Sequence, residues 1–142
     1  MLKNMEILPT ISVSKKDLLQ ARSKVQNRIA RSTNPPKECY KAISIIAASI
    51  NVQHALELLE TQGINTLQQY FLRLKKKNTK AAKGLIMDAD FAPAMILTRK
   101  AHQMGKEHPK LDKLMKILSK ELEKEGSKII VFTQFRDTLE NI

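Results

Sequence analysis

Residues 37–63 read KECYKAISIIAASINVQHALELLETQG and form the most hydrophobic stretch of the chain. Apolar side chains cover more than one face of any helix that this stretch forms, which indicates a central helix packed on several sides. Pro35 and Pro36 prevent a preceding helix from continuing into it. Gly63 is placed to end it in a left-handed cap. The stretch therefore predicts a long helix at the centre of a helical domain.

Segments with helical spacing lie on both sides of this stretch. Before it, residues 14–31 carry regularly spaced apolar side chains, and Ser14 and Asp17 are placed to form a capping box. After it, Asn65 or Thr66 can start another helix, which ends in the lysine run that follows. The apolar stripe of that helix is Leu67, Tyr70, Phe71 and Leu74.

The rest of the chain is also predicted to be mostly helical. Residues 79–91 read as a short helix, and Pro93 fits the first turn of a further one that ends near Met104. An amphipathic helix opens at His108 and closes before Gly126. The expected fold class is mainly α, a helical bundle.

The periodicity changes after the last glycine. Residues 128–133, KIIVFT, form a short β-branched run that reads as a buried parallel strand. A lone strand cannot pair its backbone groups or cover both of its faces. We therefore expect the chain to be a piece of a larger protein that stops as a β–α unit begins. The alternatives are that the segment becomes helical or pairs with another copy.

The chain is strongly basic, with 25 Lys and Arg against 14 Asp and Glu and a net charge of +11. Such an excess favours a polyanionic partner, and nucleic acid is the first candidate. An anionic membrane surface and a lysine-rich coat that serves only solubility are the alternatives.

The densest group of cations falls between Glu60 and Asp88, where the sequence has no acid. A row of charge of this kind matches the phosphates of a duplex. The competing interpretation is a solvated helix C-terminus, where the helix dipole favours lysines anyway. The candidate nucleic-acid-binding residues are Arg73, Lys75, Lys76, Lys77, Lys80 and Lys83.

Several functional classes lack their motifs in this sequence. It has no GxxxxGK[ST] phosphate loop, so the chain alone is not expected to hydrolyse ATP, and no catalytic residue is proposed. Its three histidines lack metal-site spacing, so no metal is expected, and His54 is assigned a helix contact. The single Cys39 fits a reducing, cytoplasmic compartment. No apolar run or signal peptide suggests a membrane partner.

Three segments resemble the archaeal Hef helicases, relatives of the Fanconi anaemia FANCM translocase. They are HALELLETQG at 54–63, HPKLDKL at 108–114 and KIIVFTQFRDT at 128–138. The similarity keeps the same order and spacing from about Lys15 to the last residue. In that family a thumb-like helical insertion lies between two RecA-like motor domains. The parent protein uses ATP to remodel forked or branched DNA.

The resemblance implies a division of the chain and further site residues. Residues 1–107 are expected to be the helical insertion. Residues 108–142 are expected to be the linking helix and first β-strand of a truncated second RecA-like domain. VFTQFR at 131–136 is similar to helicase motif IV, which implies backbone contacts by Thr133, Gln134 and Arg136. ATP and Mg²⁺ would then be cofactors of the parent only.

Three functions remain open at this point. The first is a DNA-binding insertion of an archaeal ATP-dependent DNA helicase that acts in the repair of stalled replication forks, with the flanking RecA-like motor domains as its other partners. The second is a structural or partner-docking spacer between those motor domains. The third is an insertion of a related RNA helicase that contacts double-stranded RNA.

Overall fold

The computed structural model describes residues 13–106 and 109–132. Within these ranges the chain forms six helices and no strand, which confirms the mainly helical fold class. The helices are α1 (Lys15–Ala30), α2 (Lys37–Thr61), α3 (Ile64–Lys76), α4 (Lys80–Ile86), α5 (Phe91–Gln103) and α6 (Pro109–Leu122).

Helices α1 and α2 form an antiparallel hairpin. The predicted capping box is confirmed, because the Ser14 hydroxyl accepts from the Asp17 N–H and the Asp17 carboxylate accepts from the Ser14 N–H. The Lys15 ammonium lies 2.8 Å from the Glu57 carboxylate, which holds the start of α1 beside the far end of α2. Between the two helices lies a first core cluster of Leu18, Ala21, Val25, Cys39, Ala42 and Ile46.

A second core cluster joins the C-terminal part of α2 to α3, α4 and α5. Leu67, Tyr70, Phe71 and Leu74 are all buried, which confirms the predicted stripe of α3. The Phe71 and Phe91 rings meet edge to face at 5.4 Å between centroids, and this contact joins α3 to α5. The cluster consists of Ala55, Leu58, Leu67, Tyr70, Phe71, Leu74, Ala82, Leu85, Phe91 and Met95.

Helix α2 is central, as predicted, because α1, α3 and α4 all pack on it. By its length and by the composition of its most apolar 18-residue window, α2 could also cross a membrane. The core helix of a water-soluble bundle has the same properties, so this feature is weak evidence for a membrane. One face of α2 remains uncovered by the described residues. That face, the α2 apolar stripe, consists of Ile45, Val52, Leu56 and Leu59.

Gly63 both ends α2 and begins α3. Its N–H donates to the Leu58 carbonyl, and its own carbonyl accepts from the Leu67 N–H. Its φ of 94° is positive as predicted, but its ψ of −173° places it in an extended conformation open to glycine and not in a left-handed cap. The prediction that Asn65 or Thr66 starts the helix is wrong, because Gly63 is the N-cap and both residues lie inside α3.

The boundary between α4 and α5 differs from the sequence-based prediction. Helix α4 ends at Ile86, and Phe91 belongs to α5 and not to the preceding helix. The Asp88 carboxylate explains the break, because it accepts hydrogen bonds of 3.0 Å from the Asp90 and Phe91 N–H groups. Pro93 lies in the first turn of α5, and Gly105, with φ 64°, follows its end, as predicted.

The last described residues do not join either core cluster. Helix α6 has no buried residue, and Gly126, with φ 78°, follows it after a short turn. Residues 128–132 form no strand, and Phe132 is 91% exposed. No second strand lies in the described part of the chain to pair with them. Their expected place in the sheet of a motor domain, and the domain boundary at 107–108, stay predictions.

Candidate nucleic-acid interface

The basic residues predicted from the sequence meet at the junction of α3 and α4. We call Lys75, Lys76, Lys77, Lys80 and Lys83 the basic junction. All five side chains are exposed, and none forms an ion pair with a carboxylate among residues 13–106 and 109–132. The last turn of α3 contributes part of this charge, as the helix dipole favours. The junction therefore presents uncompensated positive charge to solvent.

On one side of the basic junction lies a small cleft between α3 and α5. Its volume is about 170 Å³, and its walls include Phe71, Leu72 and Ile96. Lys75 and Arg99 line the same cleft. Arg99 is exposed and belongs to α5, so packing brings it beside a lysine that is 24 positions earlier in the sequence. The cleft extends the cationic surface from α3 onto α5.

On the other side lies a larger groove bounded by α1, α2 and the α3–α4 connection, with a volume of about 540 Å³. We call it the Tyr40 groove, after the aromatic residue that lines it. Its lining combines apolar side chains of α2 with three cations from different elements, and no acid among the described residues lines it. The apolar and aromatic side chains include Tyr40, Ile43 and Ala47, and the three cations are Arg22, Lys77 and Lys80.

A buried tyrosine supports the Tyr40 groove from the side of α3. The Tyr70 hydroxyl lies 3.2 Å from both the main-chain and the side-chain carbonyl oxygen of Asn51, which itself lines the groove. Burial raises the pKa of Tyr70 to about 12, with a smaller opposing effect of the Arg73 charge. The hydroxyl is therefore a neutral donor at physiological pH, and it ties α3 to the middle of α2.

His54 completes this contact between α2 and α3. Its ring meets the Tyr70 ring edge to face at 4.9 Å, and its Nδ1 lies 3.6 Å from the Glu57 carboxylate. The Lys15 ammonium and His54 together lower the pKa of Glu57, with the Lys15 hydrogen bond as the larger cause. The predicted role of His54 as a helix-contact histidine is confirmed.

The structure divides the predicted site residues into four groups. Lys75, Lys77 and Lys80 line the two depressions, whereas Lys76 and Lys83 are exposed and line neither of these two. Arg73 is exposed but also interacts within the bundle. Thr133, Gln134 and Arg136 lie outside the described residues, so their role stays a prediction. That these site residues bind nucleic acid stays a prediction.

Sequence reasoning missed Arg22, Tyr40 and Arg99. These residues are isolated in the sequence, with no motif around them. Only the packing of α1, α2 and α5 brings them beside the basic junction. A signal was present for Tyr40, since an aromatic residue on the first turn of an otherwise aliphatic helix has no obvious place in its core.

The described residues do not fit a nucleotide-triphosphate or metal site. No group of three or more His, Cys, Asp or Glu side chains that could hold a metal ion occurs within them. The sequence also has no phosphate loop to cradle the phosphates of ATP. That ATP and Mg²⁺ are cofactors of a parent protein stays a prediction.

Comparisons with known proteins give the chain a family. The family described as "Putative ATP-dependent RNA helicase, helical bundle" matches residues 2–105. A protein of Methanocaldococcus jannaschii named "Putative ATP-dependent RNA helicase" is 36% identical over 104 residues, which are 72% of this chain and 13% of that protein. The crystal structure of the Pyrococcus furiosus Hef helicase domain has a TM-score of 0.79 and 33% identity, over 99% of this chain and 30% of that one.

These relatives are much longer than the matched region, because this chain spans 13% of the Methanocaldococcus protein and 30% of the Hef helicase domain chain. The similarity to the Hef helicase domain confirms the resemblance noted from the sequence. The family match covers all of α1 to α5, together with the basic junction and both depressions. The chain belongs to this helical-bundle family and is the helical insertion domain of a superfamily 2 helicase.

Proposed function

We propose that this domain is the nucleic-acid-binding insertion of an ATP-dependent DNA helicase or translocase that acts on forked or branched DNA in the repair of stalled replication forks. The basic junction carries the proposal, because its five exposed lysines have no carboxylate partner among the described residues. Phosphates along a duplex would take the place of those partners. In this proposal the domain reads the shape of the DNA and not its base sequence.

The motor activity belongs to other parts of the proposed parent protein. Flanking RecA-like domains bind ATP and Mg²⁺ and translocate, while the bundle holds the duplex near the fork. The motif IV residues Thr133, Gln134 and Arg136 add backbone contacts from the second motor domain. The parent acts in the cytoplasm of an archaeal cell, with no membrane partner, and the buried thiol of Cys39 is compatible with a reducing compartment.

The test is a competition experiment with the 142-residue chain. Labelled forked DNA is bound at fixed salt and displaced with unlabelled forked DNA, duplex DNA or double-stranded RNA of equal length. We expect forked and duplex DNA to compete well, and double-stranded RNA to require a severalfold higher concentration. Double-stranded RNA that competes better than DNA would overturn the choice of DNA.

Two observations favour other functions. The family description and the Methanocaldococcus relative both name RNA helicases, which favours contact with double-stranded RNA. The exposed α2 apolar stripe favours a structural or docking spacer, since contiguous exposed apolar side chains can mark the contact surface of a partner. A spacer predicts negligible affinity of the chain for every nucleic acid in the competition experiment.

A further inference from the structure

The Tyr40 groove differs from the rest of the cationic surface in having an aromatic side chain beside the apolar side chains of Ile43 and Ala47. We call these two side chains the apolar floor. Tyr40 lies on the first turn of α2 and is 55% exposed. Ile43 and Ala47 follow it on α2 and line the same groove. An exposed ring beside aliphatic side chains can hold a flat apolar face, and phosphates alone would not require one.

Cations surround this apolar floor on more than one side. Arg22 comes from α1, Lys77 from the end of α3 and Lys80 from the start of α4. Within residues 13–106 and 109–132, no acidic side chain lines the groove. A ligand that matches the groove therefore combines a planar apolar part with nearby negative charges. An unpaired nucleotide in a strand has this chemistry, since its base can stack and its phosphates remain anionic.

We propose that the Tyr40 groove binds an unpaired nucleotide, with the base against Tyr40 and the apolar floor and the adjacent phosphates on Arg22, Lys77 and Lys80. This inference rests on the proposed nucleic-acid-binding function and deepens it. The bases of an intact duplex are stacked inside and cannot reach the floor, so the groove selects a strand that has separated from its complement. At a DNA fork, such a strand leaves the duplex at the branch point.

The test compares two strands that carry equal charge. One is a short oligothymidylate, and the other has the same length with abasic sites in place of the bases. We expect the unaltered chain to prefer the base-containing strand by about fivefold to a hundredfold, the range typical of stacking on an aromatic side chain. Tyr40→Ala abolishes this preference, and Tyr40→Phe keeps it because the ring is retained. An oligouridylate arm shows whether RNA strands use the groove equally.

A duplex control separates this inference from the proposed function. We expect Tyr40→Ala to change the affinity for duplex by less than about twofold, because the proposal gives the Tyr40 ring no contact with duplex phosphates. The double variant Lys75→Ala and Lys76→Ala should lower the affinity for duplex and for single strands alike. Thermal melting verifies that each variant is folded. If Tyr40→Ala keeps the base preference, or the unaltered chain has none, the groove inference is wrong while duplex binding stands. If the unaltered chain binds no nucleic acid, the proposed function itself is wrong.

Discussion

The Tyr70 hydroxyl lies 3.2 Å from both carbonyl oxygens of Asn51 and so connects α3, whose last turn carries Lys75 and Lys76 of the basic junction, to the middle of α2. Asn51 also lines the Tyr40 groove. The position of the lysines relative to the groove therefore depends on a buried contact and not only on the surface. His54 packs against the same ring and keeps its orientation fixed.

Tyr70→Phe tests the energetic weight of this contact. We expect the free energy of unfolding to fall by about 1 kcal/mol, because the ring stays packed while one hydrogen bond is lost and Asn51 remains within reach of water. Equilibrium urea unfolding measures the change. Tyr40→Phe is the matched control, since its hydroxyl is on an exposed side chain, and it should alter stability by less than about half as much. A larger loss in the control would contradict this assignment.

Alkaline pH should weaken the bundle through the same residue. The pKa of Tyr70 is raised from 10.0 to about 12 in the folded chain. The stabilisation is therefore fully present below pH 10 and decreases as pH rises from 10 towards 12, because the unfolded state loses this proton first. Thermal melting at a series of pH values measures the effect. All other titratable groups are the same in the unaltered chain and in Tyr70→Phe, so the variant should show the shallower decline.

Leu74→Ala tests the second core cluster. Leu74 is fully buried, so removing its side chain leaves a cavity and should cost about 2–5 kcal/mol of unfolding free energy. Leu97→Ala is the control on α5, because its side chain is 65% exposed and should matter by less than about 0.5 kcal/mol. Urea unfolding of both variants provides the comparison. Equal effects would show that α3 does not pack as described.

Most of the helical framework could be predicted from the sequence because its signals are local. The capping box of Ser14 and Asp17 and the spacing of the α3 stripe depend on residues only a few positions apart. The errors occurred at boundaries. Thr66 looks like a cap but its side chain is buried, and Asp88 breaks the chain through hydrogen bonds that spacing alone does not reveal.

The candidate interface was predictable only in part, for a different reason. The lysines of the basic junction are close together in the sequence, so their clustering was visible. Arg22 and Arg99 reach it from α1 and α5 through tertiary packing. The proposed role of Tyr40 is visible in the same way, because only the folded chain shows it in one groove with Arg22, Lys77 and Lys80. Long-range juxtapositions of this kind leave no local pattern in one sequence.

The salt dependence of DNA binding is the most direct test of whether the basic junction binds DNA phosphates. Each lysine–phosphate contact contributes about 0.9 to the slope of the logarithm of the binding constant against the logarithm of salt concentration. We therefore expect Lys75→Ala, Lys76→Ala and Lys77→Ala together to weaken binding to forked and duplex DNA uniformly and to reduce the slope by about 2 to 3.

The matched control removes the same charge from α6, where no residue is buried, through Lys113→Ala, Lys116→Ala and Lys120→Ala. Fluorescence anisotropy with labelled forked DNA at several salt concentrations gives both slopes. We expect a reduced slope for the α3 variant and a nearly unchanged slope for the α6 variant. Equal slopes for the α3 variant and the unaltered chain would contradict the claim that the basic junction holds DNA phosphates.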